Sequence, residues 1–276
     1  VTSINEGGST TVTVTATDPA GVNDPLSYSF DCRNDGSYEI GPQSSNQATC
    51  SYEDNGSYTV RVRVTDGDGG VDTDTSFVVT VNNVAPTISN VTGVTSINEG
   101  GSTTVTVTAT DPAGVNDPLS YYFDCRNDGT YEIGPQSSSQ ATCSYEDNGS
   151  YTVRVRVTDG DGGEDTDTSF VVTVNNVPPN VSVINNGPIA PIQPAIITVT
   201  AIDVDDDPLT YEFDCDDDGS YEIGPQSENI AQCSFSEEGS YTVNVRVSDD
   251  DGGVTLDSTI VVVRWIKLYL PIILKQ

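Results

Sequence analysis

The chain has 276 residues, of which 42 are acidic and 10 basic, and its formal net charge at pH 7 is −32. A surface of this charge repels nucleic acid and anionic membranes, which disfavours both as partners. Six cysteines without a CxxC spacing favour disulfides in an oxidising compartment, so we expect an extracellular or cell-surface location. No apolar run approaches the roughly 20 residues of a membrane-spanning helix.

The sequence is a tandem repeat. Residues 1–86 match residues 94–179 at all but five positions, and a more altered third repeat follows. Each repeat carries two cysteines 18 residues apart. Because about 90 residues can bury a core, we predict three domains, 1–83, 84–176 and 177–264, followed by an apolar tail at 265–276. The first domain is expected to lack its first strand.

Short strand signals follow one another along the first repeat. Ser9 to Thr17 alternates valine with threonine, which is typical of a half-buried strand. Four further strands are predicted between turn residues, at Leu26 to Cys32, Ala48 to Tyr52, Ser57 to Thr65 and Thr75 to Val81. No stretch has a convincing helical period. The pattern predicts an all-β fold, a tandem array of three antiparallel immunoglobulin-like β-sandwiches with an extra C-terminal strand.

Two motifs resemble the PKD (polycystic kidney disease) domain family. They are Tyr28-x-Phe30-Asp31 and the run NGSYTVRVRVTD that begins at Asn55, and both recur along the chain. Phe30 replaces the usual tryptophan, and Cys32 and Cys50 replace an aromatic residue and a histidine that lie close together in the family. The resemblance therefore implies disulfides within each repeat, Cys32–Cys50, Cys125–Cys143 and Cys215–Cys233. It also implies a spacer, adhesion or binding role without catalysis.

Acidic loops are the candidate metal sites. Asp214, Asp216, Asp218 and Glu222 follow the D-x-D-x-D-G spacing, in which alternate carboxylates converge on one cation. Acidic loops also fall at both ends of each predicted sandwich, so that acid meets acid where repeats join. The candidates in these loops are Asp66, Asp68, Asp159 and Asp161. Ca²⁺ is the hard cation expected outside the cell, and a solvated acidic turn is the alternative interpretation.

Groups for catalysis are missing from the sequence. There is no histidine and no GxSxG motif, and the paired carboxylates lie in repeated loops rather than around one cleft. We therefore expect that the protein is not an enzyme.

The tail has a strand-like alternation. Its apolar residues fall on one face, with Lys267 and Lys275 on the other. These apolar residues are Ile266, Leu268, Leu270, Ile272 and Leu274. The tail occupies the position at which a fourth repeat would have its first strand. We predict that it inserts into domain 1 of the next subunit, between Val1 and the strand Thr75 to Val81, and builds a head-to-tail homopolymer by donor strand complementation.

Other interpretations stay open. Residues upstream of the given sequence would also supply the missing strand, and the tail would also serve as an anchor. The runner-up function is a monomeric stalk or adhesion module of a larger secreted or cell-surface protein, which binds polysaccharide or another surface protein. The candidate exposed aromatic residues for such binding are Tyr38, Tyr121, Tyr122, Tyr131 and Tyr221.

Overall fold

A computed structural model describes residues 2–204 and 207–265. Within these residues the chain forms 22 β-strands and two single-turn 3-10 helices, Gly21–Asn23 and Gly114–Asn116. The all-β prediction is confirmed. No helix in the described part of the chain is long and apolar enough to cross a membrane.

The first repeat is a β-sandwich of two sheets. Its strands are β1 (Thr2–Asn5), β2 (Gly8–Thr13), β3 (Ser27–Asp31), β4 (Ile40–Gln43), β5 (Gln47–Tyr52), β6 (Gly56–Thr65) and β7 (Val71–Asn82). One sheet has the order β1-β7-β6-β3-β4, and the other pairs β2 with β5. Alternate side chains of both sheets, among them Val12, Phe30 and Val60, form one buried cluster. The strand alternation read from the sequence is what creates this two-sided core.

The second repeat contains an additional strand. Its strands are β8 (Thr87–Thr92), β9 (Ser96–Asn98), β10 (Gly101–Thr110), β11 (Ser120–Asp124), β12 (Ile133–Gln136), β13 (Gln140–Tyr145), β14 (Gly149–Thr158) and β15 (Glu164–Asn175). The sheets have the orders β13-β10-β8 and β12-β11-β14-β15-β9. The extra strand is β8, which pairs antiparallel with β10.

The smaller sheet of the third repeat has the same strand arrangement as the smaller sheet of the second repeat. Its strands are β16 (Asn180–Asn185), β17 (Pro194–Ile202), β18 (Thr210–Asp214), β19 (Ile223–Gln226), β20 (Ile230–Ser234), β21 (Gly239–Ser248) and β22 (Val254–Val263). The sheets have the orders β16-β17-β20 and β19-β18-β21-β22. Here β16 occupies the edge that β8 occupies in the second repeat.

Residues 8–17 and 101–110 have the same sequence, GSTTVTVTAT, but form strands of different length. β10 runs through Thr110, whereas β2 ends at Thr13. The reason is the partner strand, because Thr106 to Thr110 pair with β8 and the first repeat has no corresponding strand among the described residues. The predicted strand Ser9 to Thr17 is therefore too long for the first repeat.

The expected acceptor position in the first repeat is wrong. The sequence predicts it between Val1 and the strand Thr75 to Val81, but β1 already pairs there, with Thr2 opposite Val79 and Ile4 opposite Val81. The open edge lies instead along Thr13 to Thr17, the equivalents of the residues that pair with β8. Among the described residues, β1 therefore fills the edge beside β7, and no strand pairs along Val14 to Thr17.

The chain forms two compact units whose limits do not follow the repeat boundaries. One unit contains Val1–Gly93, Thr104–Thr142 and Thr152–Val171, and the other contains Val94–Thr103, Cys143–Tyr151 and the stretch that begins at Val172. The domain limits 1–83, 84–176 and 177–264 therefore stay a prediction. Each candidate site described below lies within one of these units.

Candidate functional site

A groove opens in the first repeat where the second repeat holds β8. Its volume is about 460 Å³, and we call it the β2 groove. Its apolar lining includes Val14, Leu26, Val62 and Val64. Four carboxylates line it as well, those of Asp18, Asp66, Asp72 and Asp74. The groove thus combines an open strand edge, apolar core side chains and negative charge.

Residues of the β2 groove and of the adjacent strand β7 are less buried than identical residues in the second repeat. Val107, Val157 and Phe170 are 3%, 0% and 6% exposed. Their equivalents Val14, Val64 and Phe77 are only half-buried. Since the residue types are the same, the difference follows from the neighbouring strand, which the second repeat has in β8 and the described part of the first repeat lacks. Core apolar side chains of the first repeat are therefore partly exposed.

The predicted polymer interface of the tail lies outside the residues that the structure describes. This applies to Ile266, Leu268, Leu270, Ile272 and Leu274.

The acidic loop of the third repeat brings its four predicted ligands together. Oxygen atoms of Asp214, Asp216, Asp218 and Glu222 lie within 4.8 Å of one another. The buried Asp214 carboxylate accepts hydrogen bonds from the backbone N–H groups of Asp217 and Gly219, at 2.7 and 3.1 Å. The other three carboxylates are exposed.

The pKa values of Asp214 and Asp216 in this loop shift in opposite directions. Burial acts to raise the pKa of Asp214, but its hydrogen-bond donors, led by the Gly219 N–H, outweigh burial and lower the pKa. Desolvation raises the pKa of Asp216, and repulsion from Asp218 and Glu222 raises it further. Both carboxylate oxygens of Asp214 already accept hydrogen bonds from backbone N–H groups, so its position does not by itself call for a cation. Ca²⁺ binding at this loop stays a prediction.

The remaining predicted ligands fall in two equivalent turns. Asp66 Oδ1 accepts hydrogen bonds from the backbone N–H groups of Asp68 and Gly70, at 3.1 and 2.6 Å. Asp159 Oδ1 accepts the corresponding bonds from Asp161 and Gly163, at 2.9 and 2.7 Å. Asp66 and Asp159 therefore cap their own turns, to which Asp68 and Asp161 contribute backbone N–H groups.

A buried acidic cluster joins the first and second repeats, and sequence reasoning missed it. Glu6, in the turn between β1 and β2, lies with Asp111 and Asp117 of the loop after β10, and their oxygens are within 4.8 Å of one another. Glu6 and Asp117 are 4% and 1% exposed. We call these three residues the Glu6 cluster. The sequence shows no short motif that would reveal this cluster, because Glu6 and Asp111 are more than 100 residues apart. The one signal in the sequence was the expectation that acidic loops meet where repeats join.

The carboxylates of the Glu6 cluster repel one another. Burial raises the pKa of Glu6, a hydrogen bond from Val84 N–H opposes the shift, and Asp111, Asp117 and Asp54 add to it. Burial likewise raises the pKa of Asp117, against a hydrogen bond from Gly160 N–H and with repulsion from neighbouring acids.

The tyrosines expected to be exposed do not form an open aromatic surface. Tyr121 is buried, so that expectation is wrong for this residue, whose side chain points into the core from β11. Arginine side chains cover the other rings, with guanidinium carbons 4.3 to 4.7 Å from the ring centroids. The pairs are Arg63 with Tyr38, Arg156 with Tyr122 and Tyr131, and Arg246 with Tyr221.

Disulfide bonds cross-link residues within the sandwiches. Cys32 pairs with Cys50, Cys215 pairs with Cys233, and Cys125 and Cys143 are also disulfide-bonded. The described residues contain no free cysteine. The pairings expected in the first and third repeats are confirmed. The fold therefore defines a class, that of tandem disulfide-bonded immunoglobulin-like sandwiches of the extracellular type.

Comparison with protein families places the chain within this class. Models described as PKD domain match residues 1–81, 83–174 and 180–262. The chain belongs to the PKD domain family. Comparison with curated proteins finds no relative of this chain.

Several solved structures are similar. The PKD domain of a peptidase from a Thermoplasmatales archaeon is 34% identical, with 34% of this chain and 98% of that chain covered and a TM-score of 0.29. Extracellular domains 3–5 of Drosophila OTK are 12% identical, with coverage of 96% and 94% and a TM-score of 0.34. Protocadherin Gamma B2 extracellular cadherin domains 1–5 are 15% identical, with coverage of 97% and 59% and a TM-score of 0.34.

Proposed function

We propose that this chain is a non-catalytic extracellular structural protein whose subunits join head to tail into a filament. The C-terminal tail of one subunit adds a strand to the first repeat of the next. The β2 groove is the observation that carries the proposal. An unpaired strand edge beside exposed core side chains is a binding site for a further strand.

The second repeat shows what the acceptor needs. β8 pairs with Thr106 to Thr110 of β10, so that a strand beside Thr13 to Thr17 would make the same backbone hydrogen bonds in the first repeat. Such a strand would also cover Val14, Val64 and Phe77, whose equivalents in the second repeat are buried. Val14 to Thr17 lie beyond the end of β2, so part of the binding energy would go into ordering them as a strand.

The sequence of the tail suits this acceptor. Burial of its five apolar side chains would contribute on the order of 10 kcal/mol before the cost of association. The chain has two lysines, Lys267 and Lys275, and both lie in the tail. The groove contains four carboxylates, so charge complementarity favours the encounter of tail and groove. Donor and acceptor are different surfaces, so each added subunit exposes a new acceptor and a filament grows.

Negative-stain electron microscopy tests the proposal on the full chain beside a chain truncated after Arg264. We expect thin fibres from the full chain and separate particles from the truncated chain. Two substitutions supply a matched pair. Leu270→Asp places a charge on the face that enters the groove, whereas Ile273→Asp places the same charge on the opposite face. The first should abolish fibres and the second should leave them.

A capped variant identifies the acceptor. Placing residues 84–93 before Val1 supplies the first repeat with the strand that the second repeat has, at the same spacing. This variant should fold with a higher melting temperature and form no fibres. The proposal fails if the capped variant polymerises like the full chain, or if the full chain stays monomeric and a tail peptide leaves its melting temperature unchanged. The second result would favour the monomeric stalk.

A further inference from the structure

The Glu6 cluster leaves one oxygen of each carboxylate without a hydrogen-bond donor. The other oxygens are held by backbone N–H groups, since Glu6 accepts from Val84 at 2.7 Å, Asp111 from Ala113 at 2.8 Å and Asp117 from Gly160 at 2.6 Å. Among the described residues, no donor reaches the second oxygens, Glu6 Oε2, Asp111 Oδ2 and Asp117 Oδ2, which are buried. Each carboxylate is thus oriented by one oxygen and free to bind through the other.

The charges around the cluster are themselves acidic. The largest charge interactions of Glu6 are repulsions from Asp111, Asp117 and Asp54. Those of Asp117 are also repulsions from acids, namely Asp159, Asp111 and Asp161. Buried carboxylates without a counter-charge are costly even when one oxygen of each accepts a hydrogen bond, and a bound cation would supply that counter-charge.

We propose that the Glu6 cluster is a Ca²⁺ site that ties the turn after β1 in the first repeat to the loop after β10 in the second. Three converging carboxylate oxygens suit a hard cation, and Ca²⁺ takes about 6 to 8 oxygen ligands, of which water can supply the remainder. Mg²⁺ demands near-octahedral geometry and gives up its water reluctantly, so three carboxylates fixed by the backbone suit it less well. The site does not depend on polymerisation.

The first repeat supplies a matched control. Residues 18–24 have the same sequence as residues 111–117, DPAGVND. Asp24 Oδ1 accepts a hydrogen bond from Gly67 N–H at 2.6 Å, as Asp117 does from Gly160. Asp24 clusters with Asp18 and Asp66 but with no glutamate in the group, and it is only half-buried. The two loops therefore differ in the presence of Glu6 and in burial.

Calorimetric titration of the chelator-treated full chain with CaCl₂ tests the site. The variants are Glu6→Gln, Asp117→Asn and Asp24→Asn, each of which removes one charge without changing side-chain size. We expect the first two to lose one bound Ca²⁺ or to weaken it at least about tenfold, and Asp24→Asn to keep it. Unchanged Ca²⁺ binding in Glu6→Gln and Asp117→Asn overturns the proposal, as does an equal loss in Asp24→Asn.

Thermal unfolding gives a second readout that a merely structural role would not produce. In EDTA, Glu6→Gln and Asp117→Asn should melt above the wild type, because each removes a repelling charge. In CaCl₂ the order should reverse, because the wild type gains the most from the ion. If these variants melt below the wild type by the same amount in both conditions, the residues are structural and the proposal fails. MgCl₂ that shifts the wild type as much as CaCl₂ overturns the assignment to Ca²⁺.

Discussion

At the scale of single residues, Gly36 and Gly41 need the absence of a side chain for different reasons. Both have positive φ, +99° and +98°. A Cβ on Gly41 would lie 2.3 Å from the Tyr28 carbonyl oxygen and 2.9 Å from Ser29 Cα, because β4 packs closely against β3. A Cβ on Gly36 would meet nothing within 4 Å. Backbone conformation alone therefore requires glycine at Gly36, and close packing adds to it at Gly41.

Substitution separates these two requirements. Gly36→Ala should cost about 1 to 2 kcal/mol, the cost of the left-handed conformation for a residue with Cβ. Gly41→Ala should cost about 1 to 3 kcal/mol more, because the β3 backbone must move. Urea unfolding of the two variants measures the difference. Equal losses would mean that the contact with β3 relaxes without cost.

At the scale of secondary structure, β2 and β10 show that a partner strand sets strand length. Their sequences are identical, but β10 is 10 residues long and β2 is 6. Alternating valine and threonine favours a strand in both places. The four additional residues of β10 are in strand conformation because β8 pairs with them.

Amide exchange should detect this difference. In the chain that ends at Arg264, the amides of Thr15 to Thr17 should exchange faster than those of Thr108 to Thr110, as measured by NMR. A peptide of residues 84–93 should slow the exchange of the first set, because it supplies the missing partner. The same peptide with Val91→Asp is the control, since Val91 is a buried side chain of β8. Equal exchange rates in both repeats without peptide would contradict the described edge.

At the scale of the whole molecule, the charge balance governs the response to salt. The net charge of −32 leaves most acidic residues without a basic partner. Such an excess destabilises a folded chain by self-repulsion, which salt screens with a Debye length of about 10 Å at 0.1 M. Electrostatics should therefore destabilise this protein at low ionic strength.

The expected result is a higher melting temperature in salt. Raising NaCl from about 20 to about 200 mM in EDTA should increase the melting temperature by several degrees. Sucrose at equal osmolarity is the control for effects unrelated to charge. A melting temperature that falls with NaCl would mean that attractive ion pairs outweigh the repulsion. Arg156 with Glu164, 3.7 Å apart, is one such pair.

Features that depend on neighbouring residues or on copied segments were predictable from the sequence. The repeats, the alternating strands and the PKD motifs led to the fold. The spacing of Asp214, Asp216 and Asp218 indicated a local acidic loop, because residues so close in sequence must also be close in space. The Glu6 cluster could not be found in this way, since its members come from loops far apart in the chain. The expectation for Tyr121 failed because a tyrosine in an alternating strand faces either side, and only the register decides which.

The sequence by itself determined the class of sandwich, the number of repeats and the acidic character, because these follow from local alternation, copied segments and composition. The tertiary structure decided what identical segments become. It ends β2 at Thr13 and opens a groove beside it, and it buries Asp117 against Glu6 while leaving the equivalent Asp24 half-exposed. The physical reason is the same in both cases: strand pairing and burial depend on which neighbour is present, and a repeated segment does not encode its neighbour.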